Sequence, residues 1–234
     1  MKRFYKEVTA EPGEGDVFFV ALDGKSVRTP GRQPLRVPTR QMGEAIAVEW
    51  REQGDEIEPV LMPLTRLANS TVDRTAPNRA QVIEQVAAFG GADLLCYRAE
   101  GPADLVDRQS TEWQPVLDWL GTTHGATLNV TSGISPMAQS NDALLAIFTA
   151  VAAFDDFRLT GLHAVTAAAG SVALGLALAA GRIDAEQAWR AAHLDDLYQA
   201  DRWGADADAE SRREALRDEI TAAAKFIVLT QSDG

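Results

Sequence analysis

The residues from Leu194 to Gly204 are the part of the chain whose types and spacing could do chemistry. The segment reads Leu-Asp-Asp-Leu-Tyr-Gln-Ala-Asp-Arg-Trp-Gly, which combines carboxylates, an amide and two large aromatic side chains. Three- and four-residue spacing predicts that Trp189, His193 and Asp196 share one helical face. Gly204 is predicted to end the helix in the left-handed conformation. We call residues 194–204 the acidic aromatic ridge.

Two functions fit this ridge, and the first is a surface that binds another protein. Tryptophan, tyrosine and desolvated charges dominate the binding energy of protein interfaces. The second is a magnesium site, in which Asp195, Asp196 and Asp201 act with the acidic pair Asp155 and Asp156 on a diphosphate substrate. This all-helical enzyme is the alternative hypothesis. The sequence lacks the basic cluster that would hold a diphosphate. The acidic pair Asp155 and Asp156 also has a structural explanation, because the helix dipole favours carboxylates at a helix start.

Other motifs for catalysis or cofactor binding are absent from the sequence. It contains no Gly-x-Ser-x-Gly elbow, no glycine-rich phosphate loop followed by Lys-Ser/Thr, and no His-Glu-x-x-His pair. The single cysteine, Cys96, excludes an internal disulfide and every metal site built from several thiolates. We therefore expect no catalytic residue, no cofactor, no metal and no small-molecule substrate.

The composition predicts a soluble protein with a full core and an acidic surface. The chain has 234 residues, 46% of them hydrophobic, and a formal net charge of −12. This charge repels phosphate backbones and anionic lipids, so we expect no nucleic-acid partner unless a basic patch is concealed. The segment from Met1 to Val8 lacks the apolar core of a signal peptide, which favours a cytoplasmic location.

One uncharged stretch, from Ala164 to Gly181, has nearly the length of a membrane span. Small residues dominate it, and Ala167, Ser171 and Gly175 recur at every fourth position. Such a stripe lets another helix approach closely, in a soluble core as well as in lipid. We predict a buried helix here and no membrane span.

The first part of the chain has the pattern of a small α+β domain. Residues 1 to 38 alternate as strands do, and Asp23-Gly24 is typical of a tight hairpin turn. Thr39 is predicted to cap a helix that continues to Gln53, with Trp50 on its apolar face.

After Pro77 the pattern becomes helical. Helices are predicted at 78–89, 103–121, 140–152, 157–180, 184–203 and 208–230, with short extended segments at 94–98 and 126–130. The predicted fold class is α+β. Residues 1–77 are predicted to form a small α+β domain, and residues 78–234 a larger α-helical domain.

Five motifs occur in order along nearly the whole chain. They are Ala47–Gln53, Met62–Thr65, Asp93–Arg98, Trp113–Pro115 with Trp119, and Leu194–Gly204. Together they resemble the motifs of the chaperones that assemble the soluble catalytic head of ATP synthase by holding its α subunit. The chain looks like a bacterial relative of the mitochondrial members, which work in the matrix.

The resemblance implies a function and a set of contact residues. A chaperone of this kind binds the free α subunit, prevents its aggregation and leaves when the β subunit displaces it, without hydrolysing ATP. The implied partner-binding residues are Asp195, Asp196, Tyr198, Gln199, Trp203, Trp50, Gln53 and Trp113. Trp50 and Trp113 also have the helical spacing of core residues, and that second interpretation stays open here.

Overall fold

The computed structural model describes residues 1–204 and 206–231, which form two compact units. The N-terminal unit comprises Met1–Arg79, Asp155–Gly161 and the described residues of Lys225–Gly234. The helical unit comprises Ala80–Phe154 and the described residues of Leu162–Ala224. The domain boundary predicted between residues 77 and 78 stays a prediction.

A four-stranded antiparallel sheet is the framework of the N-terminal unit. Its strands are β1 (Val8–Pro12), β2 (Phe18–Leu22), β3 (Lys25–Ser26) and β4 (Arg36–Val37), and β2 pairs with the other three. The turn between β2 and β3 is the predicted hairpin, with φ of 48° at Asp23 and 76° at Gly24. Both residues are of types that tolerate positive φ, which explains the tight turn.

Helix α1 (Arg40–Arg51) covers one face of this sheet. The Thr39 hydroxyl accepts a hydrogen bond from the Met42 amide, which confirms the predicted cap. Ile46 and Ala47 are fully buried in the same core as Val20 and Val37. The helix ends two residues before the predicted end at Gln53.

From residue 79 onward the chain is mostly helical, as predicted. The elements after α2 (Pro63–Ser70) are α3 (Arg79–Ala88), β5 (Tyr97–Arg98), α4 (Ala103–His124), β6 (Thr131–Ser132), α5 (Asn141–Ala152), α6 (Asp156–Ala169), α7 (Val172–Ala179), α8 (Ala185–Ala192), α9 (Leu194–Trp203) and α10 (Ala207–Leu229). Four predicted helices are confirmed, with ends that differ by at most three residues. The combination of N-terminal strands and later helices confirms the α+β class.

Two helices that the sequence predicted as continuous are broken in the structure. The helix predicted at 157–180 is α6 followed by α7, because Gly170 takes a φ of 65° and Ser171 caps the next helix. The helix predicted at 184–203 is α8 followed by α9, with the break at His193. None of the described helices is both long and apolar enough to cross a membrane.

Helix α7 is the buried centre of the helical unit, and every one of its residues is buried. A Cβ atom at Gly175 would lie only 2.5 Å from the Thr166 hydroxyl oxygen. The predicted close approach therefore occurs between α6 and α7 themselves. The buried Asp93 carboxylate holds the start of α7, accepting hydrogen bonds from the Ser171 hydroxyl at 2.7 Å and the Ala173 amide at 3.0 Å.

The two short extended segments are only partly as predicted. Leu94–Cys96 forms a 3₁₀ turn, and β5 begins at Tyr97. No strand is assigned at 126–130, and β6 starts one residue later, where it pairs in parallel with β5. The buried Asp93 accounts for the turn at Leu94, because its carboxylate also accepts a hydrogen bond from the Leu95 amide.

Candidate functional site

The acidic aromatic ridge forms a helix of its own, α9, which begins directly after the break at His193. Trp189 and His193 lie together as predicted, with ring centres 5.7 Å apart, whereas Asp196 belongs to α9, beyond the break at His193. Gly204 ends α9 with φ of 89° and ψ of 154°. The predicted left-handed conformation is wrong, since the positive φ is combined with an extended ψ, but the residue still requires the freedom of glycine.

The inner side of α9 packs against α4. Tyr198 is 2% exposed, and its hydroxyl donates to the Asp104 carboxylate at 2.8 Å. The Arg202 guanidinium binds the same carboxylate and lies 4.5 Å from the centre of the Tyr198 ring. The hydrogen bond from Tyr198, followed by the charge of Arg202, lowers the pKa of Asp104. Tyr198 thus belongs to a contact within the protein.

Asp195 is held by a neutral partner from α4. The fully buried Gln109 donates its side-chain NH₂ to Asp195 Oδ1 at 2.7 Å. Its oxygen accepts the Ala99 amide at 2.8 Å, and its backbone carbonyl accepts the Arg98 guanidinium at 2.8 Å. Among the described residues no cation lies within 4.0 Å of the half-buried Asp195 carboxylate. Its negative charge is oriented but not neutralised.

The outer side of α9 presents Asp196, Gln199 and Trp203, spaced by three and four residues on one exposed face. We call these three residues the outer stripe. The Trp203 side chain is 74% exposed. Within the described part of the chain, none of the three side chains makes a hydrogen bond or an ion pair. The stripe therefore offers a carboxylate, an amide and an indole to solvent on one rigid helix.

Three other predicted contact residues lie away from the ridge. Trp113 is 1% exposed and donates its indole N–H to the Ala191 carbonyl at 2.8 Å. Gln53 is 5% exposed, accepts the Glu58 amide at 2.7 Å and donates to the Glu49 carbonyl at 3.0 Å. In this structure both side chains are engaged by their own units, and neither is available to a partner at the surface.

Trp50 has an intermediate position. Its ring is half-buried against the core of the N-terminal unit and makes an edge contact with Tyr5, with ring centres 5.6 Å apart. Its indole nitrogen is buried and has no hydrogen-bond partner among the described residues. The packing favours the core interpretation of Trp50, since a buried apolar face already has its contacts.

The acidic pair Asp155 and Asp156 of the alternative hypothesis has a structural role. Asp155 Oδ1 accepts the amides of Phe157 and Arg158, both at 2.9 Å, at the start of α6. Asp156 forms an ion pair with Arg79 at 2.7 Å. Across the residues that the structure describes, no group of three or more His, Cys, Asp or Glu could hold a metal ion. The diphosphate enzyme is therefore not supported.

Cys96 is a buried core residue. Burial, together with the nearby Asp93 carboxylate, raises the pKa of its thiol to about 12. A buried thiol with a raised pKa has the character of a small core residue, in agreement with the interpretation of Cys96 as structural.

The comparisons with known proteins agree with this architecture. The model of the ATP12 chaperone protein family matches residues 2–121. Protein atp12, mitochondrial, of Schizosaccharomyces pombe is 22% identical over 95% of this chain and 81% of its own length.

Solved structures are similar along the whole chain. Atp12 from Paracoccus denitrificans is 40% identical, with a TM-score of 0.94 and 98% of each chain covered. A putative chaperone from Agrobacterium tumefaciens is 38% identical, with a TM-score of 0.93, over 98% of this chain and 86% of its own. The chain therefore belongs to the ATP12 chaperone protein family, the chaperones of ATP synthase assembly whose motifs the sequence resembles.

Proposed function

We propose that this chaperone binds the free α subunit of ATP synthase, keeps it from aggregating and releases it when the β subunit arrives. An unassembled α subunit exposes apolar surface meant for its neighbours, and such a surface aggregates unless it is covered. The proposed location is the cytoplasm, with the mitochondrial matrix for eukaryotic relatives. Binding alone performs this task, so the proposal needs neither a cofactor nor catalysis.

The outer stripe of α9 is the observation that supports a partner surface most directly. An indole that is 74% exposed loses little by leaving water and gains a large contact area when a partner covers it. Gln199 lies one turn before Trp203 and Asp196 two turns before it, on the same face, and both can supply polar contacts around the indole. This arrangement has the composition of an interface hot spot with a polar rim.

Asp195 adds a negative charge beside the stripe. Its Oδ1 atom is fixed by Gln109, and no cation of the described chain neutralises the carboxylate. A basic group of a partner would gain from this fixed charge because the carboxylate loses little side-chain freedom on binding. We therefore place Asp195, Asp196, Gln199 and Trp203 in the contact surface with α.

The test is a charge reversal on this surface. Asp196→Lys is expected to weaken capture of the α subunit by about 2 to 5 kcal/mol, because a basic group on α would then face a like charge. The melting temperature should fall only slightly, and by a similar amount in both Asp196→Lys and Asp208→Lys, because each carboxylate is exposed and lies in the first turn of its helix, where the dipole favours a negative charge. Capture is measured as suppression of aggregation of the purified α subunit.

Two further variants complete this test. Asp195→Lys should reduce capture as well, but with some loss of melting temperature, because the hydrogen bond from Gln109 is lost. Asp208→Lys, in the exposed first turn of α10, is the control for overall charge. If Asp196→Lys and Asp208→Lys had equal effects, general negative charge and not this surface would recruit α.

A further inference from the structure

Positive charge is concentrated in one segment of this acidic protein. Between residues 24 and 43 the chain has five basic residues, Lys25, Arg28, Arg32, Arg36 and Arg40, and no acidic one. The rest of the chain has 17 basic and 34 acidic residues, a net charge of −17. The segment is a basic patch within an acidic chain, so the net charge of the whole chain does not describe which partners this surface attracts.

Strand alternation turns Arg28 and Arg36 toward the surface of the N-terminal unit. Val27, Leu35 and Val37 are buried, whereas Arg28, which follows Val27, and Arg36, which lies between Leu35 and Val37, are exposed. Successive side chains of an extended segment point to opposite sides, so the buried residues direct their neighbours outward.

The exposed cations border a groove. A depression of about 820 Å³ is lined by Lys25, Arg28 and Arg36, and by the apolar side chains of Val17, Phe19 and Pro34. A second depression of about 580 Å³ also touches Pro34 and Arg36, so the two lie next to each other. We call the first depression the basic groove.

The cations of the basic groove have no direct ion-pair partner among the described residues, although Glu14 also lines the groove and the Asp23 carboxylate interacts electrostatically with Lys25. Among the described residues, no carboxylate lies within 4.0 Å of the charged groups of Lys25, Arg28 or Arg36. The Arg28 guanidinium is held in place by the Arg32 carbonyl at 2.9 Å. Asp73, in the second depression, already accepts hydrogen bonds from the Thr29 hydroxyl at 2.6 Å and the Gly31 amide at 2.8 Å.

We propose that the basic groove binds an extended acidic segment of a protein partner. Arginine binds carboxylates in a two-pronged geometry, which Arg28 and Arg36 can offer, and Lys25 adds a point charge that also attracts a carboxylate. Val17, Phe19 and Pro34 can receive the apolar side chains that alternate with acidic ones in an extended peptide.

A polypeptide suits this surface better than a nucleic acid. The net charge of −12 repels a long polyanion, and Glu14 lines the same groove. A short acidic peptide stays within the groove, where local cations outweigh charges farther away than a Debye length of about 8 Å. The apolar side chains of Val17, Phe19 and Pro34 would also gain no favourable contact from a phosphate backbone.

The experiment measures binding of a labelled peptide of alternating glutamate and valine to the full chain by fluorescence anisotropy. We expect saturable binding that weakens as salt is added. Arg28→Glu combined with Arg36→Glu should raise the Kd at least about tenfold, because each reversal replaces an attraction by a repulsion. Arg190→Glu combined with Arg212→Glu makes the same change in total charge on exposed residues elsewhere and should leave the Kd within about twofold.

Three outcomes would overturn the proposal. The first is the absence of saturable peptide binding, and the second is an equal loss of affinity in the control double variant. The third is tighter binding of single-stranded DNA of matched charge, which would identify a site for polyanions. If the glutamate variant proves unfolded, Arg28→Gln with Arg36→Gln must still raise the Kd. The α subunit is not used, so failure here leaves the function proposed for α9 untouched.

Discussion

The inner side and the outer side of the acidic aromatic ridge contain similar residue types, but only the side chains of the inner side have partners within the protein. On the inner side, Tyr198 and Asp195 are matched by Asp104 and Gln109 of α4. On the outer side, Asp196, Gln199 and Trp203 have no such side-chain partner among the described residues. Residue type alone therefore does not mark a binding surface. The informative property is whether the protein's own contacts already satisfy the side chain.

The largest expected effect concerns Trp113, a predicted contact residue that lies away from the ridge but, like its inner side, is already engaged within the protein. Trp113 of α4 contacts α8 through its hydrogen bond to Ala191 and is 1% exposed. Trp113→Ala should lower the free energy of unfolding by about 3 to 5 kcal/mol, because it leaves a large cavity and an unpaired carbonyl. Chemical denaturation measures this. A stable variant that had lost capture of the α subunit would instead make Trp113 a contact residue.

The corresponding change on the outer side should act on binding alone. Trp203→Ala is expected to weaken capture of the α subunit by about 2 kcal/mol, the effect of losing a hot-spot aromatic. The melting temperature should not change, since an exposed side chain contributes little packing. If Trp203→Ala lowered the melting temperature and capture in proportion, the outer stripe would be a structural feature only.

A third change connects the two sides. Gln109→Leu removes the amide that joins Asp195 to the Ala99 backbone, and it should cost about 1 to 2 kcal/mol of unfolding free energy. Capture of the α subunit should also weaken, because Asp195 is no longer held in place. Gln85→Leu, at an exposed position of α3, is the matched control. If capture remained normal in Gln109→Leu, the fixed position of Asp195 would be irrelevant to binding.

Several elements of the fold could be predicted from residues that are neighbours in the sequence. The Asp23-Gly24 turn and the Thr39 cap were predicted because residues next to each other determine them. The break at Gly170 and Ser171 was missed although glycine followed by a capping serine is a local signal. An uncharged, alanine-rich run around this pair favoured one continuous helix.

The division of the ridge could not be predicted from the ridge itself. The ion pairs and hydrogen bonds on its inner side come from Asp104 and Gln109, more than 80 residues earlier in the chain. The sequence shows only that these two residues are five positions apart on a predicted helix, and this spacing does not indicate that they contact the ridge. Exposure depends on which face α4 covers, and this is a property of tertiary packing.

The smallest effect concerns the pH dependence of the inner side. The hydrogen bond from Tyr198 lowers the pKa of Asp104 from its ordinary value of 3.8, so the ionised form stabilises the fold. A carboxyl of this kind contributes stability above its unfolded pKa and loses it as the pH falls through the lower folded pKa. Tyr198→Phe should therefore melt below the wild type at neutral pH, and the gap should narrow in acid below about pH 4. Between about pH 6 and pH 8 the gap should be constant.

Tyr5→Phe provides the matched control for this pH series. The Tyr5 hydroxyl donates to the Trp50 backbone carbonyl at 2.6 Å, and a carbonyl does not titrate. Removing that hydroxyl should therefore lower the melting temperature by an amount that does not narrow in acid. If the Tyr198→Phe gap also stayed constant in acid, the hydroxyl would act through packing and not through the charge of Asp104. The contact between Tyr198 and α4 would then stabilise the fold by packing, and the charge of Asp104 would be balanced by Arg202 alone.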